Sequence, residues 1–386
     1  MTVRTLRAVA TALLFGTATL GGGVLLSAPA YAVNVRPAVG NLLNEAKNLA
    51  AKSDWKGAMA KVNQAEAVPN KTADETSIIG QMKNYIAVKS GDVSIGGALA
   101  AKSKFAADYN ARKYKDVIAD GELLRKTNAL DANSKQIIAQ AYYLSGDKQG
   151  CLKYIQSNFG NSPNDSVLEL QMRCAYDAGD DATQRKALET LVAHTGKAEY
   201  WSDLLKLSER AQGMRDQDTL DVYRLKLLTG TINGKEEYTT LAQLALQLGF
   251  PAEAANALKQ GQAKVKELND DRTNRLLKLA QTQAGADAAG QAAALAKAKA
   301  APKGDALVKI GEDQWSQGNA KAAVATIQAG ISKGVTDAND AEIRLGQAYL
   351  GAGQKADAIK AFAAVKGPAD SKQVMIAHLW SLYAHH

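Results

Sequence analysis

The sequence predicts an all-α protein built as a solenoid of about ten helix-turn-helix repeats, and two observations support this. First, short turns separate Ala- and Leu-rich helical runs at steps of 33 to 36 residues. A period of this length is typical of stacked helical hairpins. Second, residues 33–386 at about 34 residues a repeat give about ten units, which leaves no separate globular domain. The recognised turns are anchored at Lys113, Gly146, Gly179, Gly213, Gly249, Gly285, Gly318 and Gly353.

The first 32 residues have the pattern of a secretory signal peptide. Arg4 and Arg7 precede an apolar, uncharged stretch over 8–26, and an Ala-Tyr-Ala cleavage sequence ends at Ala32. We therefore expect cleavage after Ala32 and a periplasmic or secreted protein. The alternative is an uncleaved membrane anchor, although several glycines weaken the stretch as a spanning helix. No later segment is apolar enough to predict a membrane span.

The clearest repeat covers residues 340–367. Its first helix carries Leu-Gly-Gln-Ala-Tyr at 345–349, and its second helix carries Ala358 and Phe362. The small Gly346 allows two helix backbones to approach closely, and the aromatic side chains fill the adjacent space. This pattern resembles the tetratricopeptide repeat (TPR) family. The resemblance implies a right-handed α-solenoid, and it carries almost no information about a particular function.

Four segments follow from the repeat phase. Residues 1–32 are the expected signal peptide, and 33–111 are expected to form irregular TPR-like repeats because the phase slips there. Residues 112–370 are expected to form the TPR-like array, with the Ala-rich run 284–301 as one of its second helices. The tail 371–386 is expected to be a capping helix, since arrays commonly need a closing element.

The two cysteines predict a disulfide bond. Cys151 falls five residues after the Gly146 turn, and Cys174 falls five residues before the Gly179 turn. The helices that carry them are expected to be antiparallel neighbours, which brings both thiols to one height. An even count in an oxidising compartment favours a bond. The alternative is a pair of buried free thiols.

Candidate catalytic and metal-binding groups are sparse. The four histidines are scattered without a His-x-x-x-His pair, and no Cys/His spacing fits zinc, so we expect no metal and no cofactor. The acid pair Asp180-Asp181 is expected to cap a helix. These observations predict a protein that is not an enzyme, and an envelope hydrolase is the least favoured class.

The concave face of the expected array is the candidate binding site. In the TPR family the first helices line this face, and arginines and aromatic residues there suit peptide or acidic-group recognition. The alternative is an ordinary solvated face. The residues that the resemblance places on the groove are Tyr143, Arg173, Tyr176, Arg210, Gln243, Arg275, Trp315, Arg344 and Gln347.

Two functions are consistent with these features. The first is an exported scaffold that binds another envelope or secreted protein through the groove, as an assembly or secretion adaptor. The second is a binder of anionic polysaccharide or wall polymer, which the arginines of the groove suggest. Without Arg4 and Arg7 the formal net charge falls from +8 to +6, and this charge permits an acidic partner, an anionic polymer or a lipid surface. The charge is too diffuse to favour nucleic acid, and the expected export also argues against it.

Overall fold

The computed structural model describes residues 35–386 except 161, 162 and 369. The expected signal peptide and its cleavage site lie outside the described residues. Nineteen α-helices joined by short connections make up most of the described chain, and no β-strand occurs among these residues. The all-α class predicted from the sequence is therefore confirmed.

The chain divides into two compact units, Met1–Ser162 and Pro163–His386. Residues 35–160 of the first unit contain seven helices, each packed against the next. They are α1 Pro37–Ala51, α2 Trp55–Glu66, α3 Ala73–Ser90, α4 Val93–Asn110, α5 Tyr114–Lys126, α6 Ala132–Leu144 and α7 Lys148–Phe159. Their buried faces form two apolar clusters, one across α1–α3 and the other across α4–α7.

Local capping interactions fix where the helices of the first unit begin. Asp54 accepts a hydrogen bond from the backbone N–H of Gly57 at 2.9 Å, and so starts α2. Thr72 and Glu75 form a reciprocal capping box at the start of α3, and Arg36 binds the same Glu75 carboxylate at 2.8 Å. Helices α3 and α4 occupy the segment in which the sequence departs from the regular repeat period. The backbone of α4 is not helical at Gly97.

The second unit contains twelve helices and a three-residue 3₁₀ turn, Lys266–Leu268. The first six are α8 Asp165–Ala178, α9 Asp181–Thr195, α10 Ala198–Glu209, α11 Asp216–Leu228, α12 Gly234–Gln247 and α13 Pro251–Lys264. The other six are α14 Asp271–Ala300, α15 Asp305–Ser316, α16 Ala320–Lys333, α17 Ala338–Gly351, α18 Lys355–Ala364 and α19 Lys372–His385.

Six of the predicted turn glycines have left-handed backbone conformations. Their φ angles lie between 69° and 90°, a region that favours glycine because it lacks a Cβ atom. A seventh predicted anchor, Lys113, directly follows Arg112, whose φ is 58°. These turns are therefore confirmed from the local backbone. The six glycines are Gly146, Gly179, Gly213, Gly249, Gly318 and Gly353.

The predicted turn at Gly285 is wrong. Helix α14 runs unbroken for 30 residues through this position, so 284–301 is not a separate second helix. Alanine has the highest helix propensity, and this Ala-rich stretch stays helical although only Thr273, Ala280 and Ala298 of α14 are buried. The described chain consequently has eight helical hairpins, with α3, α14 and α19 outside them.

The last helix is a core element of the second unit. Helix α19 packs against α9 and α11 as well as against its neighbours α17 and α18. Trp380 on α19 is completely buried, and its ring lies 6.4 Å from Trp315 and 6.3 Å from Phe362. In an open solenoid each repeat contacts only its neighbours. The second unit therefore curves back on itself, and α19 does more than cap one end.

Candidate binding cleft between α12 and α14

The structure places Arg344 and Gln347 in the interior of the second unit, each with 1% of its surface exposed. Arg344 donates from Nη1 and Nη2 to the two carboxylate oxygens of Asp221 on α11, both at 2.5 Å. Gln347 Nε2 donates to Asp221 Oδ1 at 2.8 Å. Because both side chains extend from α17 to Asp221 on α11, they compensate a buried charge. The prediction that they line an open groove is corrected for this reason.

A network of buried charges surrounds Asp221. Arg224 binds Asp221 at 3.0 Å, Glu312 at 2.8 Å and Glu253 at 2.7 Å. Burial alone would raise the pKa of Asp221, but Arg344 and Arg224 outweigh it and hold this pKa below its usual value. Burial likewise opposes the charge on Arg224, and Glu253 and Glu312 overcome it and raise its pKa. The charges of the network therefore compensate one another, although Arg344 Nε has no hydrogen-bond partner among the described residues.

Trp315 is also mainly a packing residue. Its ring lies 4.9 Å from the guanidinium carbon of Arg224 and contacts the apolar clusters on both sides of α15. This geometry is a cation–π contact within the protein. Trp315 is not among the residues that line the cleft between α12 and α14.

Four of the predicted groove residues are at least partly exposed. In the first unit, Tyr143 on α6 is half-buried, and Lys148 Nζ lies 3.7 Å from its ring centre. In the second unit, Arg173 and Tyr176 share one face of α8, and Tyr176 is 54% exposed. Arg210 is exposed at the C-terminal end of α10. Their role in binding stays a prediction.

The remaining two predicted residues, Gln243 and Arg275, come together in one cleft between α12 and α14. The cleft has a volume of about 490 Å³, and both helices that form its walls pack against α13. Helix α12 is the first helix of its hairpin, as expected for a groove wall. The other lining residues are Lys235, Glu236, Thr239, Arg272, Thr273, Leu276 and Leu279.

Helical spacing brings these side chains to the cleft. Lys235, Thr239 and Gln243 are spaced by four residues along α12, and residues three or four apart share a helix face. On α14, Arg272, Arg275 and Leu279 follow the same rule. Arg272 was not among the predicted residues, although its position three residues before Arg275 would have identified it.

One ion pair ties the beginnings of the two walls together. Lys235 Nζ binds the Asp270 carboxylate. Asp270 also caps α14 by accepting a hydrogen bond from the Thr273 backbone N–H at 2.9 Å. The hydrogen bond from Lys235, with that from Thr273, holds the pKa of Asp270 well below its usual value. Asp270 is therefore charged at neutral pH, and this pair holds α12 next to α14.

The two arginines of the cleft are available to a ligand. Arg272 and Arg275 are exposed, and neither has a hydrogen-bond or ion-pair partner among the described residues. Next to them, Leu279 is 48% exposed. A guanidinium group offers paired N–H donors that match a carboxylate or phosphate. The cleft can therefore bind an anionic group and an apolar side chain next to it.

A second cleft of about 230 Å³ lies next to the buried network. Its polar lining includes Gln217, Glu312, Asp337 and Asp340. These groups are already engaged, because Gln217 donates to Glu312 at 2.9 Å and Arg215 lies 3.5 Å from Asp337. In the part of the chain that the structure describes, no three His, Cys, Asp or Glu side chains are grouped to hold a metal ion.

The predicted disulfide is confirmed. Cys151 on α7 and Cys174 on α8 are both buried and both disulfide-bonded, and the chain has two cysteines.

Among the described helices, none combines the length and the apolar composition that crossing a bilayer requires.

Comparison with known proteins gives structural likenesses at low identity. No family model and no curated protein matches the sequence. A tetratricopeptide repeat protein from Parabacteroides merdae is 10% identical, with 81% of this chain and 99% of that chain covered and a TM-score of 0.24. A chain of the APC/C hetero-tetramer Cut9–Hcn1 is 14% identical, with 84% and 65% covered and a TM-score of 0.22.

A chain of the Naa15/Naa10 complex bound to HypK-THB is 13% identical, with 85% of this chain and 58% of that chain covered and a TM-score of 0.22. This protein thus spans less than two thirds of the length of the last two chains. Overlaps of this size carry no functional conclusion. The resemblance to the TPR family rests on the repeat pattern and the helical hairpins of this chain.

Proposed function

We propose that this protein is an exported, non-catalytic scaffold that binds an acidic segment of another envelope or secreted protein in the cleft between α12 and α14. The observation that carries the proposal is the pair Arg272 and Arg275. They lie about one helical turn apart at an open cleft that Glu236 also lines, and neither forms an ion pair with a described carboxylate. Such a pair is expected to attract and orient carboxylate groups.

The geometry favours an extended segment with acidic residues at alternate positions. Side chains at alternate positions of an extended chain point to the same side, about 6.6 Å apart. The Cβ atoms of residues three apart on a helix are separated by about 5–6 Å. Arg272 and Arg275 are thus spaced to bind two such carboxylates, and Leu279 can contact an apolar residue beyond them.

Export is supported by two features. The N-terminal sequence has the charge, the apolar stretch and the Ala-Tyr-Ala ending of a secretory signal. The bond between Cys151 and Cys174 fits an oxidising compartment, where disulfides persist. An adaptor in assembly or secretion is the role that combines export with a peptide-binding cleft.

A peptide-binding experiment tests this function. The probe is a fluorescein-labelled peptide in which every second residue is Asp, and the matched probe replaces each Asp by Asn. We expect the protein to bind the Asp peptide, and the double variant Arg272→Glu/Arg275→Glu to lower its affinity at least about tenfold by replacing attraction with repulsion.

The matched control is Lys321→Glu/Lys355→Glu, which changes the net charge equally at exposed positions on α16 and α18. This control is expected to retain most of the affinity, and circular dichroism should show both variants folded. Equal binding of the Asp and Asn peptides, or equal losses in the two double variants, would exclude the cleft as the site.

A further inference from the structure

The positive charge of the chain is divided unequally between the two units. Met1–Ser162 contains 20 Lys and Arg residues and 12 Asp and Glu residues, whereas Pro163–His386 contains 27 of each. The first unit thus carries the whole formal net charge of +8, and the second unit is neutral. Without Arg4 and Arg7, the first unit still carries a net charge of +6.

Several aspartates of the first unit cap the N-terminal ends of helices. Asp54, Asp92, Asp131 and Asp147 accept hydrogen bonds from backbone N–H groups at 2.7 to 2.9 Å. Several lysines, in contrast, are exposed and have no ion-pair partner among the described residues. These are Lys47, Lys52, Lys56, Lys89, Lys115 and Lys153. The excess positive charge therefore faces solvent.

The exposed lysines lie at both ends of the helices of the first unit. Lys52 and Lys56 flank the turn between α1 and α2, and Lys89 ends α3. Lys115 begins α5, after the turn from α4. Because consecutive helices joined by short turns alternate in direction, the α1–α2 and α3–α4 turns lie at one end and the α4–α5 turn lies at the other. Exposed lysines therefore occur at both ends of the helices and not at one end only.

We propose that the first unit binds a flexible linear polyanion, independently of the arginine cleft in the second unit. Lysine ammonium groups are compact charges that attract phosphate or carboxylate groups without a fixed orientation. A flexible chain can contact lysines at both ends of the helices, whereas a planar bilayer would contact the lysines at only one end. Release of counterions from the polymer then drives binding and makes it depend on salt.

Two quadruple variants of the exported protein test this inference. The first changes Lys52, Lys56, Lys89 and Lys115 to Glu, and the second changes Lys186, Lys259, Lys321 and Lys355 to Glu. All eight lysines are exposed and have no ion-pair partner among the described residues. Both variants have the same net charge, so a difference between them reports where the polymer binds. The probe is fluorescently labelled linear polyphosphate, and its anisotropy is measured at several salt concentrations.

We expect the unchanged protein to bind polyphosphate with an affinity that falls linearly with salt on logarithmic axes. The first variant should bind at least about tenfold more weakly than the second at equal salt, because it removes contacts and not only net charge. No polyphosphate binding, or equal losses in the two variants, would overturn the inference.

Two further arms separate the alternatives. Vesicles of phosphatidylglycerol and phosphatidylcholine present anionic charge on a plane, and stronger binding to them than to polyphosphate would overturn a flexible ligand. The variant Arg272→Glu/Arg275→Glu should keep more polyphosphate affinity than the first quadruple variant. A loss at least as large would place the polymer in the cleft and contradict a site on the first unit. The acidic-peptide assay is unaffected by either outcome.

Discussion

Arg344 and Asp221 are 123 positions apart in the sequence, and they form a bidentate ion pair in which both N–O distances are 2.5 Å. Both side chains are fully buried. The pair joins α17 to α11, and so connects the last hairpin of the second unit to its second hairpin. A side chain that the repeat pattern assigns to a ligand groove thus holds the fold together.

Asp221→Asn should lower the free energy of unfolding of the second unit by about 3–5 kcal/mol, because it leaves Arg344 and Arg224 buried without their shared carboxylate. Urea unfolding followed by tryptophan fluorescence measures this, since Trp201, Trp315 and Trp380 all belong to this unit. The control Asp357→Asn removes an exposed pair with Lys360, and should cost less than about 1 kcal/mol. Similar costs for both variants would contradict the role assigned to the network.

Gly346→Ala should destabilise the second unit by about 1–3 kcal/mol. A Cβ atom at this position would clash with the ring of Phe362, so the packing between α17 and α18 must shift. The matched control is Gly285→Ala in α14, where a Cβ atom meets nothing within 4 Å. That change should stabilise the helix by about 0.5–1 kcal/mol. Thermal unfolding that gave both changes the same sign would disprove the assigned packing.

Reduction of the Cys151–Cys174 bond should lower the melting temperature. The bond closes a loop of 24 residues, which corresponds to about 3 kcal/mol in the chain-entropy description. Calorimetry with and without reductant measures the shift. The double variant Cys151→Ser/Cys174→Ser should melt at the lower temperature and show no response to reductant. Labelling of both thiols in the native, non-reduced protein would refute the bond.

His378 should make the second unit more stable at mildly acidic pH. Its Nε2 lies 3.3 Å from Glu189 on α9, and this hydrogen bond raises the pKa of His378, while partial burial and, less strongly, nearby Arg185 oppose the shift. The stabilisation by this contact is therefore fully present below the pKa of about 6.5 that His378 has in the unfolded chain. It is lost as the pH rises through the higher pKa of His378 in the folded protein. Because the side chain is half-exposed, the effect should stay below about 1 kcal/mol.

The measurement is the melting temperature at a series of pH values from about 5.5 to 8.5, a range centred near the ordinary histidine pKa. His378→Gln and Glu189→Gln should each flatten the curve by a similar amount, because either change removes the same contact. A curve left unchanged by both substitutions would assign the pH dependence to other groups.

The sequence alone determined the helical hairpins and most of their turns. Gly146, Gly249 and Gly353 mark turns because a left-handed backbone is a local steric requirement, visible in one residue and its neighbours. The close contact of Gly346 with Phe362 follows from spacing within one hairpin. The failure at Gly285 has a local cause too, since a glycine in an Ala-rich run does not by itself end a helix.

Only the tertiary structure decided which charged residues of the first helices face solvent and which face a carboxylate on a distant helix. Arg275 lines the cleft between α12 and α14, whereas Arg344 meets Asp221, although the family resemblance assigned both to the groove. Small rotations between successive hairpins accumulate along an array and set its curvature. The accumulated rotation brings side chains of α17 and α19 to α11, and no local pattern in the sequence specifies this rotation.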